Sequence, residues 1–205
     1  MIKDILRILR NALFPVRVKG RDNTVSIRSK IRKGFRIVLN GNNNEISIGE
    51  DCLLSNTCIE MIGDNNHLIV YGKVRFLGPC RIRISGGANL IIRENAGIRG
   101  VNFELNGAKI DVGELCMFSY GITLRNHDSH KVIDPKNGQI LNAPKDIVLD
   151  RHVWIAQNVT ILKGCHIGQN SILGFGAIVT NSCPPGSIMV GTPAKVVKEN
   201  INWDY

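Results

Sequence analysis

Aromatic side chains make up only 5% of the 205 residues, and no run of 18 apolar residues occurs anywhere in the chain. The first shortage argues against a globular core built around Phe and Trp. The second excludes a membrane-spanning helix as an expectation from sequence. The N-terminus shows no short apolar segment followed by a small-residue cleavage site, so secretion is not expected. Six cysteines are present without a single C-x-x-C, which removes the usual zinc and redox spacings. Acidic residues are scarce at one end. Residues 1–36 carry eleven Lys/Arg against Asp4 and Asp22, whereas the rest of the chain holds fifteen of each sign. The net charge of +9 is therefore an N-terminal property. No nucleic-acid-binding motif accompanies it, so nucleic acid is not an expected partner. Anionic lipid headgroups or an acidic polymer suit such a basic arm better.

A strict period of six runs from Leu149 to Pro184: LDRHVW, IAQNVT, ILKGCH, IGQNSI, LGFGAI, VTNSCP. The first column is aliphatic throughout (Leu149, Ile155, Ile161, Ile167, Leu173, Val179). The fifth is small throughout (Val153, Val159, Cys165, Ser171, Ala177, Cys183). Neither a helix nor a free strand has this period. A coil with three short flat faces does, and each turn then buries its apolar column by stacking on the next. The expected fold is all-β, a parallel β-helix over residues 21–185.

A looser form of the repeat precedes it. The pairs Val25/Ile27, Ile46/Ile48, Leu68/Val70, Leu90/Ile92 and Ile110/Val112 recur every 20 to 22 residues, separated by Asn- and Gly-rich clusters at one corner of each coil. All six cysteines lie four residues after an aliphatic or aromatic column residue, which predicts six reduced, inward-facing thiols. The rhythm breaks once. Val112 to Leu149 spans 37 residues, so a loop over residues 125–146 leaves the prism, and a loop on a rigid scaffold is a natural place for function. At the ends, Met1–Phe14 has an apolar stripe and a basic flank that predict an amphipathic helix within a basic segment, residues 1–20. Residues 186–205 are expected to cap the open prism with a return strand and a short helix.

Three stretches carry a resemblance: DSHKVID in the loop, HVWIAQNVTILKGCHIGQNSILGFGAIVT in the coils, and PPGSIMVGTPAKVVK after them. They are similar to the hexapeptide-repeat acyltransferases, in the branch of the galactoside, maltose and polysaccharide O-acetyltransferases. The likeness covers about the last 90 residues well, and the first 110 only in repeat character. It implies a left-handed β-helix, although the usual crossover rule favours the right hand. It also implies a homotrimer, and acetyl transfer from acetyl-CoA at clefts between subunits, with no metal.

That chemistry asks for little. A sugar hydroxyl loses its proton while attacking a thioester carbonyl, and a neutral imidazole is suited to take it. A backbone N–H holds the developing oxyanion. The resemblance puts the base in the loop, where His127 and His130 stand. Its D-S-H pattern favours His130, with Asp134 closing the pattern and Asp128 available to orient an imidazole. Trp154 matches a tryptophan beside the acyl-donor site. Gln157, Phe175, Thr180 and Asn181 fall where relatives line the pantetheine channel, although Phe175 and Asn181 depart from the commoner residues there. Lys195 and Lys198 fall where basic residues meet nucleotide phosphates, and Asn102 where an Asn meets the acceptor.

The expected function is O-acetylation of a surface polysaccharide or its precursor, in the cytoplasm, with a peripheral contact at the inner face of the membrane. Amino-sugar N-acetylation is the alternative inside the enzyme class. A carbonic-anhydrase-like zinc site from His127, His130 and His152, and a non-catalytic scaffold, are the alternatives outside it.

Overall fold

The structure, a computed structural model, describes residues 15–204, so the helix expected over Met1–Phe14 lies outside the described residues. The described chain winds into three stacked sheets that form the faces of a prism. The first face stacks Val16–Lys19, Arg36–Asn40, Thr57–Ile62, Cys80–Ser85, Val101–Asn106, Ile122–Arg125, Thr160–Leu162 and Ile178–Val179. The second runs from Thr24–Ile27 through Glu45–Ile48, His67–Val70, Asn89–Ile92, Lys109–Val112 and Ile147–Leu149 to His166–Ile167. The third begins at Leu53–Leu54 and passes through Arg75–Phe76, Gly97–Ile98, Met117–Phe118, Trp154–Ile155 and Ile172–Leu173 to Ile188–Gly191. Neighbouring strands within each of these stacks are parallel, as one-way winding requires. The prism thus begins at Val16, inside the segment assigned to the basic arm.

Both columns of the strict repeat point inward and are buried, Ser171 included. The looser coils follow the expected register: Val25 pairs with Ile46, Ile46 with Leu68, Leu68 with Leu90, and Leu90 with Ile110. Ile110 then pairs with Ile147 across the extruded loop. The Asn/Gly clusters lie at the corner between first and second faces, with Asn43 and Asn65 at positive φ. Gly41 (φ 147°) is required there, because a Cβ would sit 2.0 Å from the Gly63 carbonyl oxygen. The corner is also a ladder. Asn44 donates its N–H and Nδ2 to Asn23 Oδ1 (both 3.0 Å), and Asn66 repeats the pattern on Asn44 (2.9 and 2.8 Å). The buried amides are thereby satisfied.

Two expectations are corrected. Cys58 does not face inward. Its neighbour Thr57 is buried and pairs with Cys80, while Cys58 points out and takes a hydrogen bond from Arg36 Nη2 at 3.2 Å. The corner Ser55–Asn56 is one residue shorter than Leu77–Pro79, so counting four from Leu54 overshoots the column. The other five cysteines are buried. Among the described residues the C-terminal cap contains no helix. Ala194–Lys198 is a strand, antiparallel to Ile188–Gly191, and it covers the edge that the third face would otherwise leave unpaired. With Val196 and Val197 at its centre the segment suits a strand.

Candidate active site

The loop grows from the corner that carries the asparagine ladder. Asn126, fully buried, continues the ladder by accepting Asn106 N–H (2.9 Å) and donating to the Ala108 carbonyl (2.9 Å). The next residue, His127, is held half-buried at the root of the loop. Its Nδ1 accepts the Ser129 N–H at 3.1 Å, and its carbonyl accepts from Arg125 Nε at 3.0 Å. Burial first, then the Arg125 charge, lowers the His127 pKa below its ordinary value. A base near neutral pH must be uncharged, and this environment keeps it so.

His130 is exposed. Its own bonds are made by the backbone, N–H to the Asp128 carbonyl (2.7 Å) and C=O from Asn142 Nδ2 (2.8 Å). The Asp128 carboxylate bonds no imidazole. It takes Lys163 Nζ and, at 2.9 Å, Asn142 Nδ2, and the lysine is the main cause of its lowered pKa. Lys163 also donates to the Asn142 carbonyl at 2.9 Å, and Asn142 Oδ1 accepts Val132 N–H at 2.7 Å. Further out, Asp134 accepts Lys136 N–H (2.8 Å) and shapes the turn at the loop tip.

The residues expected on the donor side are spread over the prism, most of them away from the loop's corner. Trp154 projects from the third face, in register between Met117 and Ile172 and 42% exposed. Gln157 and Phe175 stand one coil apart at the corner between third and first faces, where Gly176 N–H bonds the Gln157 carbonyl at 3.0 Å. Phe175 is 70% exposed. Lys195 and Lys198 are exposed on the strand that covers the third face's edge. Thr180 and Asn181 lie at the loop's corner and bond each other at 3.1 Å. Asn102 is exposed on the first face, between Arg81 and Thr123.

Sequence reasoning missed three groups. Lys163 and Asn142 anchor the loop by contacts that have no local signature. Trp203 stacks on His152 (centroids 3.9 Å apart, 11° between planes), donates Nε1–H to the His152 carbonyl (3.0 Å) and leans on Trp154 at 5.9 Å. Its rarity, one of two tryptophans, was the available hint. His152 also meets Asn170 Oδ1 at 3.0 Å, at a corner other than the loop's, so His127, His130 and His152 do not converge within one chain. Among the described residues no group of three metal-ligating side chains assembles.

This fold, with a histidine-bearing loop at one corner and a tryptophan on another face, defines a hexapeptide-repeat transferase. Residues 146–181 match the family described as bacterial transferase hexapeptide (six repeats). The polysialic acid O-acetyltransferase of Neisseria meningitidis is 32% identical over 188 residues, 90% of this chain and 87% of its own. The galactoside O-acetyltransferase of Escherichia coli K12 is 32% identical over 58% of each chain. A crystal structure of a polysialic acid O-acetyltransferase superposes with a TM-score of 0.88 at 31% identity, covering 93% of this chain and 91% of that one. The chain belongs to the hexapeptide-repeat acyltransferases, the left-handed parallel β-helix enzymes, in their O-acetyltransferase branch.

Proposed function

We propose that this protein transfers acetyl from acetyl-CoA to a hydroxyl of an acidic surface polysaccharide or its precursor, with His127 as general base. The observation that carries the reading is the half-buried imidazole of His127, held neutral at the root of an anchored loop. His130, which the D-S-H pattern favours, has an exposed ring at the same loop and is the weaker fit. The hydroxyl oxygen attacks the thioester carbonyl as its proton passes to the imidazole. The C–S bond then breaks, and the proton passes to the departing thiolate of CoA. The Ser129 bond leaves the resting ring's proton on Nε2, so proton abstraction at Nε2 requires that bond to open and Nδ1 to carry a proton. Catalytic hydrogen bonds commonly tighten or exchange only in the substrate complex.

The donor-side residues suit acetyl-CoA. Trp154 and Phe175 offer open apolar surface for the pantetheine arm, and Lys195 and Lys198 offer charge for its phosphates. Because the loop and Trp154 stand on different sides of the prism, a site using both is built between two copies of the chain, in a cyclic trimer. Exposed Val132, Ile133, Ile140 and Leu141 at the loop tip suit burial against a neighbour. The basic surplus of residues 1–36 supports a cytoplasmic reaction on precursors held near the inner membrane face. No helix among the described residues is long and apolar enough to cross a membrane.

The test is incubation of purified protein with labelled acetyl-CoA and polysialic acid, followed by mild base. Base-labile label on the polymer supports an O-acetyl ester. Base-stable label points to amine acceptors, and the absence of transfer to any sialylated polymer overturns the acceptor class.

A further inference from the structure

The outward residues of the three faces differ in charge. On the second face they include Glu45, Lys109 and Asp111, which nearly cancel. On the third, the outward positions Leu53, Gly97, Met117, Trp154 and Ile172 are uncharged, and charge is confined to Arg75 and to Lys195 and Lys198 on the closing strand at the far end. The first face carries its charge from strand to strand along adjacent columns. The strand register sets Arg17, Val38, Glu60, Arg83, Glu104 and Arg125 in one outward column. A second column holds Arg36, Cys58, Arg81 and Asn102. Five arginines thus face out against two glutamates on one face.

Glu60 is shared by Arg81 Nη2 (3.6 Å) and Arg83 Nε (3.2 Å), so that group keeps one positive charge in excess. The last arginine, Arg125, donates to the His127 carbonyl and, through Nη2, to Ser129 Oγ at 2.5 Å. The basic column therefore ends at the base. With strands about 4.8 Å apart, Arg36 and Arg125 stand four strand spacings, about 19 Å, from each other, which is longer than one sugar and suits a polymer.

We infer that the first face is a binding track for a polyanionic glycan. Arg36, Arg81 and Arg83 take carboxylates of successive sugars, Asn102 lies beside their path, and Arg125 delivers the reacting sugar to the loop. This rests on the polysaccharide acceptor proposed above and adds to it where the chain lies and why its charge matters. Arginine suits the role because its planar fork meets carboxylates in two-bond geometry. Such contacts at an exposed face weaken with salt.

The experiment uses the full chain and fluorescein-labelled polysialic acid, followed by anisotropy at low and raised salt. Replacing two arginines, Arg81→Gln with Arg83→Gln, is expected to weaken binding about tenfold, ~1.4 kcal/mol, and to raise KM for the polymer alike. KM for acetyl-CoA should stay where it is. Glu60→Gln, which frees both arginines, should tighten binding, a gain that misfolding cannot imitate. Arg75→Gln with Arg99→Gln, off this face, should change nothing. Unaltered affinity in the double variant, equal affinity for neutral dextran, or no binding by the unaltered protein each overturns the track. Binding that follows these charges without acetyl transfer retains the track and sinks the proposed reaction instead.

Discussion

Lys163 Nζ donates to the carboxylate of Asp128, tying the coil after the loop to a loop residue 35 positions earlier. Lys163 stands at the same corner from which the loop emerges, one coil on, so a single side chain decides how far the root of the loop strays from the prism. The second bond from Lys163, to the Asn142 carbonyl, fastens the returning limb of the loop. Position, rather than stability, is what this anchor supplies, because the carboxylate is 46% exposed and exposed pairs contribute little to folding.

Lys163→Ala should therefore leave the melting temperature almost unchanged while lowering kcat about 10²-fold, the cost of a misplaced catalytic group. Circular dichroism melting beside steady-state kinetics separates the two. The pH dependence has a definite sign. The folded Asp128 pKa is depressed, so the anchor is complete above the unfolded Asp value of about 3.9 and is lost as pH falls through the lower folded value. Activity between pH 5 and 8 should show no limb from Asp128. A limb in that window that disappears in Asp128→Asn would contradict the anchoring role.

For the proposed base, His127→Ala should cost about 10² to 10⁴ in kcat, the usual range for lost general-base catalysis, with KM for acetyl-CoA little altered. His130→Ala should be milder. Since the His127 pKa is lowered from 6.5, kcat/KM should rise with pH through an apparent pKa below 6.5 and be flat at neutrality. The reverse ranking of the two variants returns the assignment to His130, and an acid limb centred above 6.5 contradicts the lowered pKa of His127.

Trp203 gives a test on the donor side. Trp203→Ala removes the ring that stacks on His152 and leans against Trp154, so KM for acetyl-CoA should rise several-fold, about 1 kcal/mol for one aromatic contact. Trp154→Ala should do the same more strongly, and the double variant should add little to Trp154→Ala alone. Full additivity would show that Trp203 does not act through Trp154.

Much of this architecture was legible because it is periodic. Leu149 and Val153 announce a column and its partner, and the repeat carries that signal through the coils to Cys183. What escaped was whatever depends on the length of a corner or on a contact far along the chain. The Ser55–Asn56 corner is shorter by one residue, and that turned Cys58 outward. AKVVK reads equally as a short helix or strand until the bare edge of Ile188–Gly191 is there to decide it. Lys163 and Asn142 are ordinary polar residues in sequence, and only winding brings them to Asp128. The D-S-H pattern favours His130, whereas the proposal for His127 rests on burial and hydrogen bonding, which no local pattern encodes.

The cysteines now predict a graded reactivity. Burial pushes the thiol of Cys116 up to about 12 and those of Cys80 and Cys165 up to about 11. Only a thiolate attacks a disulfide reagent, so these three stay silent near pH 8. Cys58 faces out. Native protein should release close to one equivalent in a rapid thiol assay and all six after unfolding, with Cys58→Ser removing the fast phase. Several fast thiols in the native state would mean that the inward columns are wrongly placed.

The strongest demand is made by the distance between the loop and Trp154. Each chain carries His127 at the corner between first and second faces and Trp154 on the third, so a site needing both draws one from each of two neighbours. Mixing His127→Ala, which lowers kcat, with Trp154→Ala, which raises KM, tests this directly when acetyl-CoA is kept well below the KM of Trp154→Ala. Unfolded together and refolded at equal amounts, His127→Ala and Trp154→Ala chains assort at random into trimers. A site between neighbours is intact when the chain giving the histidine is a Trp154→Ala copy and the chain giving the tryptophan is a His127→Ala copy. Each condition holds for half the chains, so about a quarter of normal activity should return in a cyclic assembly. Neither variant refolded alone should show it. If both residues served a site within one chain, no mixture could contain an intact site and activity would stay at the level of the separate variants. That outcome, or sedimentation of the active protein as a monomer, would end the shared-site arrangement while leaving the His127 assignment to stand on its own pH profile.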